Sequence, residues 1–382
     1  MRVLFTSNPG LGHVHPMIPL AEALTGRGHE VRWAVAADVC DRLRAAGFAT
    51  FPAGLSGFER NEAFRRCFAS TMSLPPDQRP EIMFPKYFGG TCTPPMLADL
   101  LPVVVGWQPT LVVHDASEFA GPLVADLHGV PHVCHAFGAL VPEHRVVAAA
   151  AAVAPLWEAH GREPRAYGDS YDHLYLDIFP PSMRFGSYDH VPRVQPLRPV
   201  PFDAVGSDVV APVVTGERPL VYVTFGTVFN DPSLFATAMA GVTRLDVDVL
   251  VTVGPAADPA ALGEVPPNVR VERYVPQTAV LPHCTVVASH AGSGTFLASL
   301  GLGIPQLCLP QAADQFINAG QGAAAGAALT LAPADATVDA IADALGRLLG
   351  EATFADAAGR IREEIAGMPG PDEVASVLED LG

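Results

Sequence analysis

Twice in 382 residues a short apolar run leads into a glycine-rich turn and then into a stretch with helical spacing. The first instance is Val3–Thr6, then Pro9-Gly-Leu-Gly-His13-Val-His-Pro16, then a helix expected over about Pro16–Arg27 that Gly28 ends. The second is Leu220–Thr224, a turn through Gly226, and a helix after Asp231-Pro232. Further apolar runs follow at Val31–Ala36, Leu111–His114 and His132–Ala136 in the first block. The second block repeats them at Val249–Val253, Val269–Arg273, Val286–Ser289 and Gln306–Leu309. Strands that are apolar throughout belong in a parallel sheet covered on both faces, and the gaps leave room for crossover helices. The pattern predicts an α/β chain of two Rossmann-like, doubly wound domains, at 1–198 and 219–365. Six prolines between Val191 and Pro219 (192, 196, 199, 201, 212, 219) suggest a linker, set at 199–218. A last helix, within 366–382, is expected to pack back toward the first domain. Doubly wound sheets bind ligands beyond the carboxyl ends of their strands, which points to an interdomain cleft.

Composition narrows the partners. With 49% apolar residues there is material for two cores, and a net charge of −17 repels nucleic acid and anionic lipid as general partners. Residues 1–7 read directly as a buried strand with no leader, so cytoplasmic residence is expected. The longest apolar stretch is taken as Val146–Leu156, which is too short to span a bilayer and contains a proline. Six cysteines lie in apolar surroundings without a CxxC pair, as reduced, buried residues do. The segment Arg79–Leu101 carries Phe84, Tyr87, Phe88 and Met96 and reads as an irregular insertion that could line a hydrophobic pocket.

The most informative stretch is His290-Ala-Gly-Ser-Gly-Thr295, between a buried strand and a helix. Gly292 and Gly294 let the backbone approach a ligand, and the helix start offers unpaired N–H groups and a positive dipole end. That is a site for a diphosphate, with Ser293 and Thr295 as added hydroxyl donors and His290 beside them. Downstream, Asp314-Gln315 suits the hydroxyls of a sugar. Upstream, Tyr274-Val-Pro-Gln277 offers an aromatic face for a base. Asp246-Val-Asp248 matches a metal-binding DxD superficially, but it opens a strand far from this turn and reads as a solvated strand start.

In the first block His13 stands on a turn at the top of the sheet. An alcohol nucleophile needs a base that titrates near neutrality, and imidazole does. Asp115, at the end of the strand that begins at Leu111, is the expected orienter of that imidazole, with Glu118 in reserve. His15 points elsewhere by its spacing. His135 and Phe137, at the end of another strand, join Phe84 and Phe88 as candidates for acceptor contact. No metal site is expected, because His132 and His135 fall on opposite faces of their strand. A dinucleotide-dependent oxidoreductase is disfavoured: Gly10-Leu-Gly12 lacks the third glycine of that fingerprint.

Residues 274–319 resemble the nucleotide-sugar signature of the family 1 glycosyltransferases, which have the GT-B fold, and above all the bacterial enzymes that decorate macrolides and enediynes. The likeness extends over essentially the whole chain, including the opening turn and Thr224-Phe-Gly-Thr227. It implies diphosphate contacts at His290, Gly292, Ser293, Gly294, Thr295 and Thr227, and base or ribose contacts at Tyr274, Val275 and Gln277. It further implies sugar contacts at Asp314 and Gln315, and a His13–Asp115 catalytic dyad. It implies an inverting, metal-independent transfer with no cofactor, from a nucleoside diphosphate sugar to a hydrophobic natural-product acceptor. An epimerase of the same fold and a non-catalytic helper are the alternatives, and a homodimer is compatible with the chain. Two departures stand out. Tyr274 replaces a common Trp, and Ala298 stands where many members grip ribose hydroxyls with Glu. A donor without the 2′-hydroxyl needs that grip less, which favours a thymidine diphosphate (TDP) sugar.

Overall fold

The computed structural model describes residues 1–203, 218–226, 232–254 and 258–382. The chain divides into two compact units: Met1–Phe179 with Gly186–Val205 and Met368–Gly382, and Pro180–Phe185 with Gly206–Gly367. The first unit holds β1 (Arg2–Thr6), β2 (Glu30–Val35), β3 (Ala49–Pro52), β4 (Leu111–Asp115), β5 (His132–His135), β6 (Leu174–Asp177) and β7 (Val194–Pro196). They form one parallel sheet in the order β3-β2-β1-β4-β5-β6-β7. The second unit holds β8 (Leu220–Thr224), β9 (Asp248–Thr252), β10 (Val269–Glu272), β11 (Val286–Ser289), β12 (Gln306–Cys308) and β13 (Ala328–Thr330). Its order is β10-β9-β8-β11-β12-β13, again all parallel. Each unit is thus the doubly wound α/β sheet that the sequence predicts.

The apolar runs are apolar because both faces of each sheet are covered. Every residue of β4 and of β8 is buried. In the first core Phe5 stacks on Trp33, its register partner in β2, at 4.9 Å. In the second, Val221, Val223, Val249 and Val251 pack with Ile341, Leu345 and Leu348 of the helix Val338–Gly350. Gly241 allows that approach, since a Cβ there would lie 2.7 Å from Ile341.

Four short strands, β3, β6, β7 and β13, have no counterpart in the sequence reading. Two of them, β3 and β7, are the edges of the first sheet, and each ends in a proline. Proline lacks the ladder donor, so it marks these strands as breaks in sequence while remaining compatible with an edge. The stretch Val191–Pro219 therefore begins with sheet structure, and 204–217 of it lies outside the described residues.

The expectation of an irregular Arg79–Leu101 is corrected. The segment is helical throughout: Arg79–Met83, then a π-helix over Phe84–Cys92, then Thr93–Trp107. Pro80, Pro85, Pro94 and Pro95 stand at the first positions of these segments, where proline is best tolerated, and Pro102 lies inside the last of them. By length and composition this run could cross a membrane, so it, and not Val146–Leu156, is the longer apolar stretch. Its Leu97, Leu100 and Val104 are buried in the first unit.

The last helix, Pro371–Glu379, lies in the first unit against Ile18–Gly26. Glu379 there accepts from Arg27 Nη2 at 2.6 Å and from His29 Nε2 at 2.7 Å.

Burial leaves several imidazoles without their charge. His114 and His132 are pushed down to about 3, and His15, His135 and His290 to about 4. Below about pH 6.5 the unfolded chain protonates these side chains and the folded chain does not. Each such group removes up to about 1.4 kcal/mol of stability per pH unit as pH falls from there toward its folded value. Glu118, pushed up to about 7 by burial, works in the opposite direction, as do the raised carboxyls of Asp169 and Asp172, but the neutral imidazoles outnumber them. The urea midpoint is therefore expected to fall steeply between pH 6.5 and 4.5, as measured by circular dichroism. A flat profile would contradict the buried neutral histidines.

Candidate active site

The first site sits where the sheet order reverses. β1 pairs with β4, so the turn after β1 and the end of β4 lie side by side. After β1 the chain turns through Asn8, Pro9 and Gly10 into the short helix Leu11–Val14, which carries His13. Gly10 is required for this placement: a Cβ there would lie 2.8 Å from His13 Cδ2. His13 Nδ1 stands 3.3 Å from Asp115 Oδ1 and 3.2 Å from Ser117 Oγ.

Asp115 is wholly buried. Its Oδ1 accepts from the Ser117 amide at 2.7 Å and the Ser117 hydroxyl at 2.6 Å, and its Oδ2 accepts from the Asn8 amide at 2.6 Å. Burial alone would raise its pKa. The electrostatic attraction and hydrogen bond of the His13 ring, with the donors from Ser117 and Asn8, outweigh burial and hold the carboxyl below its usual range. Asp115 is therefore an anion, and the Ser117 proton is already committed to it. Both neighbours of His13 Nδ1 can only accept, so that nitrogen carries the proton. Nε2 is left with a lone pair, has no hydrogen-bond partner among the described residues, and belongs to a side chain that is 18% exposed. Asn8 Nδ2 completes the network by donating to Ser117 O and Oγ, both at 2.9 Å.

Phe137 and Phe88 flank the imidazole, with centroids at 4.6 Å and 5.4 Å. Phe88 rides on the π-helix and packs against Phe84, which is itself buried. A narrow recess lies beside Asn8 and Pro9 and is lined also by Leu55, Arg60, Cys92 and Met96. His135 does not border it: it is wholly buried, with Nδ1 at 2.6 Å from Ala136 O. Glu118 turns away to Thr6 Oγ1 at 2.6 Å and to the amides of Ala120 and Gly121. His15 is packed on Phe202 at 5.3 Å.

The second unit repeats the plan, with β8 beside β11 at the reversal of strand order. After β11 come His290, Ala291 in a left-handed conformation (φ 61°) and Gly292, then the helix Ser293–Gly301. No side chain caps that helix. A Cβ on Gly292 would lie 2.5 Å from His290 Nε2, and one on Gly226 2.8 Å, so two glycines make room for this imidazole. A Cβ on Gly294 would meet nothing within 4 Å. The first amides of the helix have no intrahelical acceptor, and together with its dipole they make an anion site.

Both hydroxyls expected to serve as free phosphate donors have protein partners. Ser293 Oγ donates to Asp314 Oδ2 at 2.5 Å, and Thr295 Oγ1 accepts from Gln277 Nε2 at 2.7 Å. Gln315 is buried, and its Oε1 accepts from the amides of Gln311 and Ala312 at 2.7 and 2.9 Å. Val275 is buried in an apolar cluster with Tyr222, Leu281 and Ala298, so its side chain is closed to a ligand. Tyr274 is half-buried. Thr227 lies outside the described residues. Asp248 and Asp246 pair with Arg218, at 2.6 and 3.6 Å, as a solvated strand start does. Among the described residues no three His, Cys, Asp or Glu side chains converge as a metal requires.

Sequence reasoning missed Asn8, Ser117 and Asn318. Ser two residues after Asp115 is a turn signal, because the carboxylate accepts the amide of residue i+2. Asn318 stands one helical turn after Asp314, and that spacing was legible.

Residues 22–212 match the family described as Erythromycin biosynthesis protein CIII-like, N-terminal domain, and residues 236–381 match the C-terminal domain of the same description. The chain is 33% identical to Elloramycin glycosyltransferase ElmGT of Streptomyces olivaceus, over 99% of this chain and 97% of that one. It is 30% identical to Aclacinomycin-T 2-deoxy-L-fucose transferase of Streptomyces galilaeus, over 100% and 96%. Among solved structures it superposes on glycosyltransferase VinC in complex with dTDP with a TM-score of 0.82 at 28% identity, covering 100% and 99% of the two chains.

Gly10→Ala should push the imidazole off Asp115. Misplacement of a reacting group by about 1 Å costs on the order of a hundredfold in turnover, so kcat should fall at least tenfold with little change in melting temperature. A variant with unaltered kcat would show that the glycine is not what seats His13.

Proposed function

This chain belongs to the Erythromycin biosynthesis protein CIII-like family of natural-product glycosyltransferases with the GT-B fold, and we propose that it transfers a sugar from TDP to a hydroxyl of a hydrophobic aglycone with inversion. The observation that carries the reading is the His13–Asp115 pair: a buried anion on Nδ1, an unpaired Nε2, and aromatic rings on either side. Nε2 takes the acceptor proton as the oxygen attacks the anomeric carbon, and Asp115 stabilises the imidazolium that forms. Phe88 and Phe137 offer the acceptor two flat apolar faces. The leaving diphosphate is held by the amides of 293–295 and the Thr295 hydroxyl, which Gln277 leaves free to donate. The helix N-terminus then does the work that a metal does in other transferases. One base and a single displacement invert the anomeric centre.

The thymidine donor is supported by Ala298, which is buried among apolar neighbours and carries no group for a ribose 2′-hydroxyl. A structural neighbour, VinC, is in complex with dTDP, and the named relatives are a 2-deoxy-L-fucose transferase and a glycosyltransferase. With no acceptor-free reaction suggested by any feature, the epimerase reading has no observation in its favour.

His13→Ala should lower kcat by at least a hundredfold, the scale of a lost general base, and leave the affinity for TDP unchanged by calorimetry. Near wild-type turnover would remove His13 from the role. In competition for transfer, TDP-sugars should outperform UDP-sugars, and a chelator should leave the rate unaltered.

A further inference from the structure

Ser293, Asp314 and Asn318 form a closed polar network at the start of the second unit's anion-binding helix. Asp314 Oδ2 receives the Ser293 hydroxyl at 2.5 Å and the Asn318 amide at 3.2 Å. The same Asn318 Nδ2 lies 3.0 Å from Ser293 Oγ and 2.9 Å from Ala291 O. Two amide protons thus serve three acceptors: one holds the carbonyl of the left-handed Ala291, and the other is shared between the serine and the carboxylate. Ser293 has one proton, and Asp314 has it. What the serine can still offer is a lone pair, which an anionic diphosphate does not accept. Asp314 is itself placed by a left-handed residue, Ala313 (φ 57°), so the turn leading to it is strained and in need of an anchor. Its Oδ1 carries no partner among the described residues and stays open to a ligand hydroxyl.

We propose that Ser293 is a positioning residue for the donor sugar: its hydroxyl, backed by Asn318, aims the Asp314 carboxylate and does not bind the diphosphate. The inference rests on Asp314 contacting the sugar, as the proposed function has it. The phosphate turn and the sugar-reading loop are then one mechanical piece, and the presence of serine at this position governs discrimination among sugars and not affinity for the nucleotide.

The test compares the dissociation constants of TDP and of TDP-glucose by calorimetry for the full chain and three variants. Ser293→Ala should leave the TDP constant within about twofold and weaken TDP-glucose by about tenfold, the worth of one hydrogen bond to a charge. Ser293→Thr, which keeps the hydroxyl, should restore it. If Ser293→Ala weakens TDP as much as TDP-glucose, the hydroxyl is a phosphate ligand and the proposal is overturned. It is overturned equally if neither constant moves. Asp314→Asn separates the underlying reading from the coupling. Loss of the preference for TDP-glucose over TDP is expected, and an intact preference would remove Asp314 from the sugar whatever Ser293 does.

Discussion

Parallel pairing of β1 with β4, and of β8 with β11, is the constraint on which both sites depend. In each sheet the chain winds outward on one side, returns, and resumes on the other, so two neighbouring strands send their following turns apart. The gap between those turns exposes backbone amides and strand-end side chains that no helix covers. His13 and Asp115, 102 residues apart in sequence, meet there because Thr6 is in register with His114. In the second unit the same arrangement sets Gly226, after β8, against His290, after β11.

Two carboxyl groups three residues apart then show how local geometry divides chemical labour. Asp115 and Glu118 are both fully buried, and burial raises the pKa of each. Asp115 faces an imidazole and collects enough donors to remain an anion. Glu118, with fewer compensating donors and Asp115 nearby, is pushed up to about 7. The first is suited to hold a base; the second serves the start of the helix Ala120–His128 through its bonds to two amides.

The aromatic flank of His13 rests on a different device. A π-helical stretch over Phe84–Cys92 changes the angular step between successive side chains and delivers Phe88 to the imidazole while Phe84 and Tyr87 stay buried. Gly89 permits this segment to lie on the helix Glu143–Ala159, since a Cβ there would meet Ala149 O at 3.0 Å. Family membership accounts for the sheets and the anion turn, which are shared machinery.

The fold class was legible in the sequence because a parallel sheet covered on both faces leaves a local record: uninterrupted apolar runs punctuated by glycine turns. The two turns were legible for the same reason, since Gly10 and Gly292 stand directly beside the histidines they accommodate. Edge strands ending in proline, and a helical run from Arg79 to Trp107 that carries five prolines, left the opposite record, because proline marks a break in sequence whether or not the structure breaks. Only the tertiary structure decided which polar atoms are committed to one another. That His135 is wholly buried beside Asp115 in the sheet, and that Ser293 gives its proton to Asp314, follow from strand register and loop closure. Those contacts join positions far apart in the chain or turn side chains of neighbours to opposite sides, and no local pattern of residues encodes them.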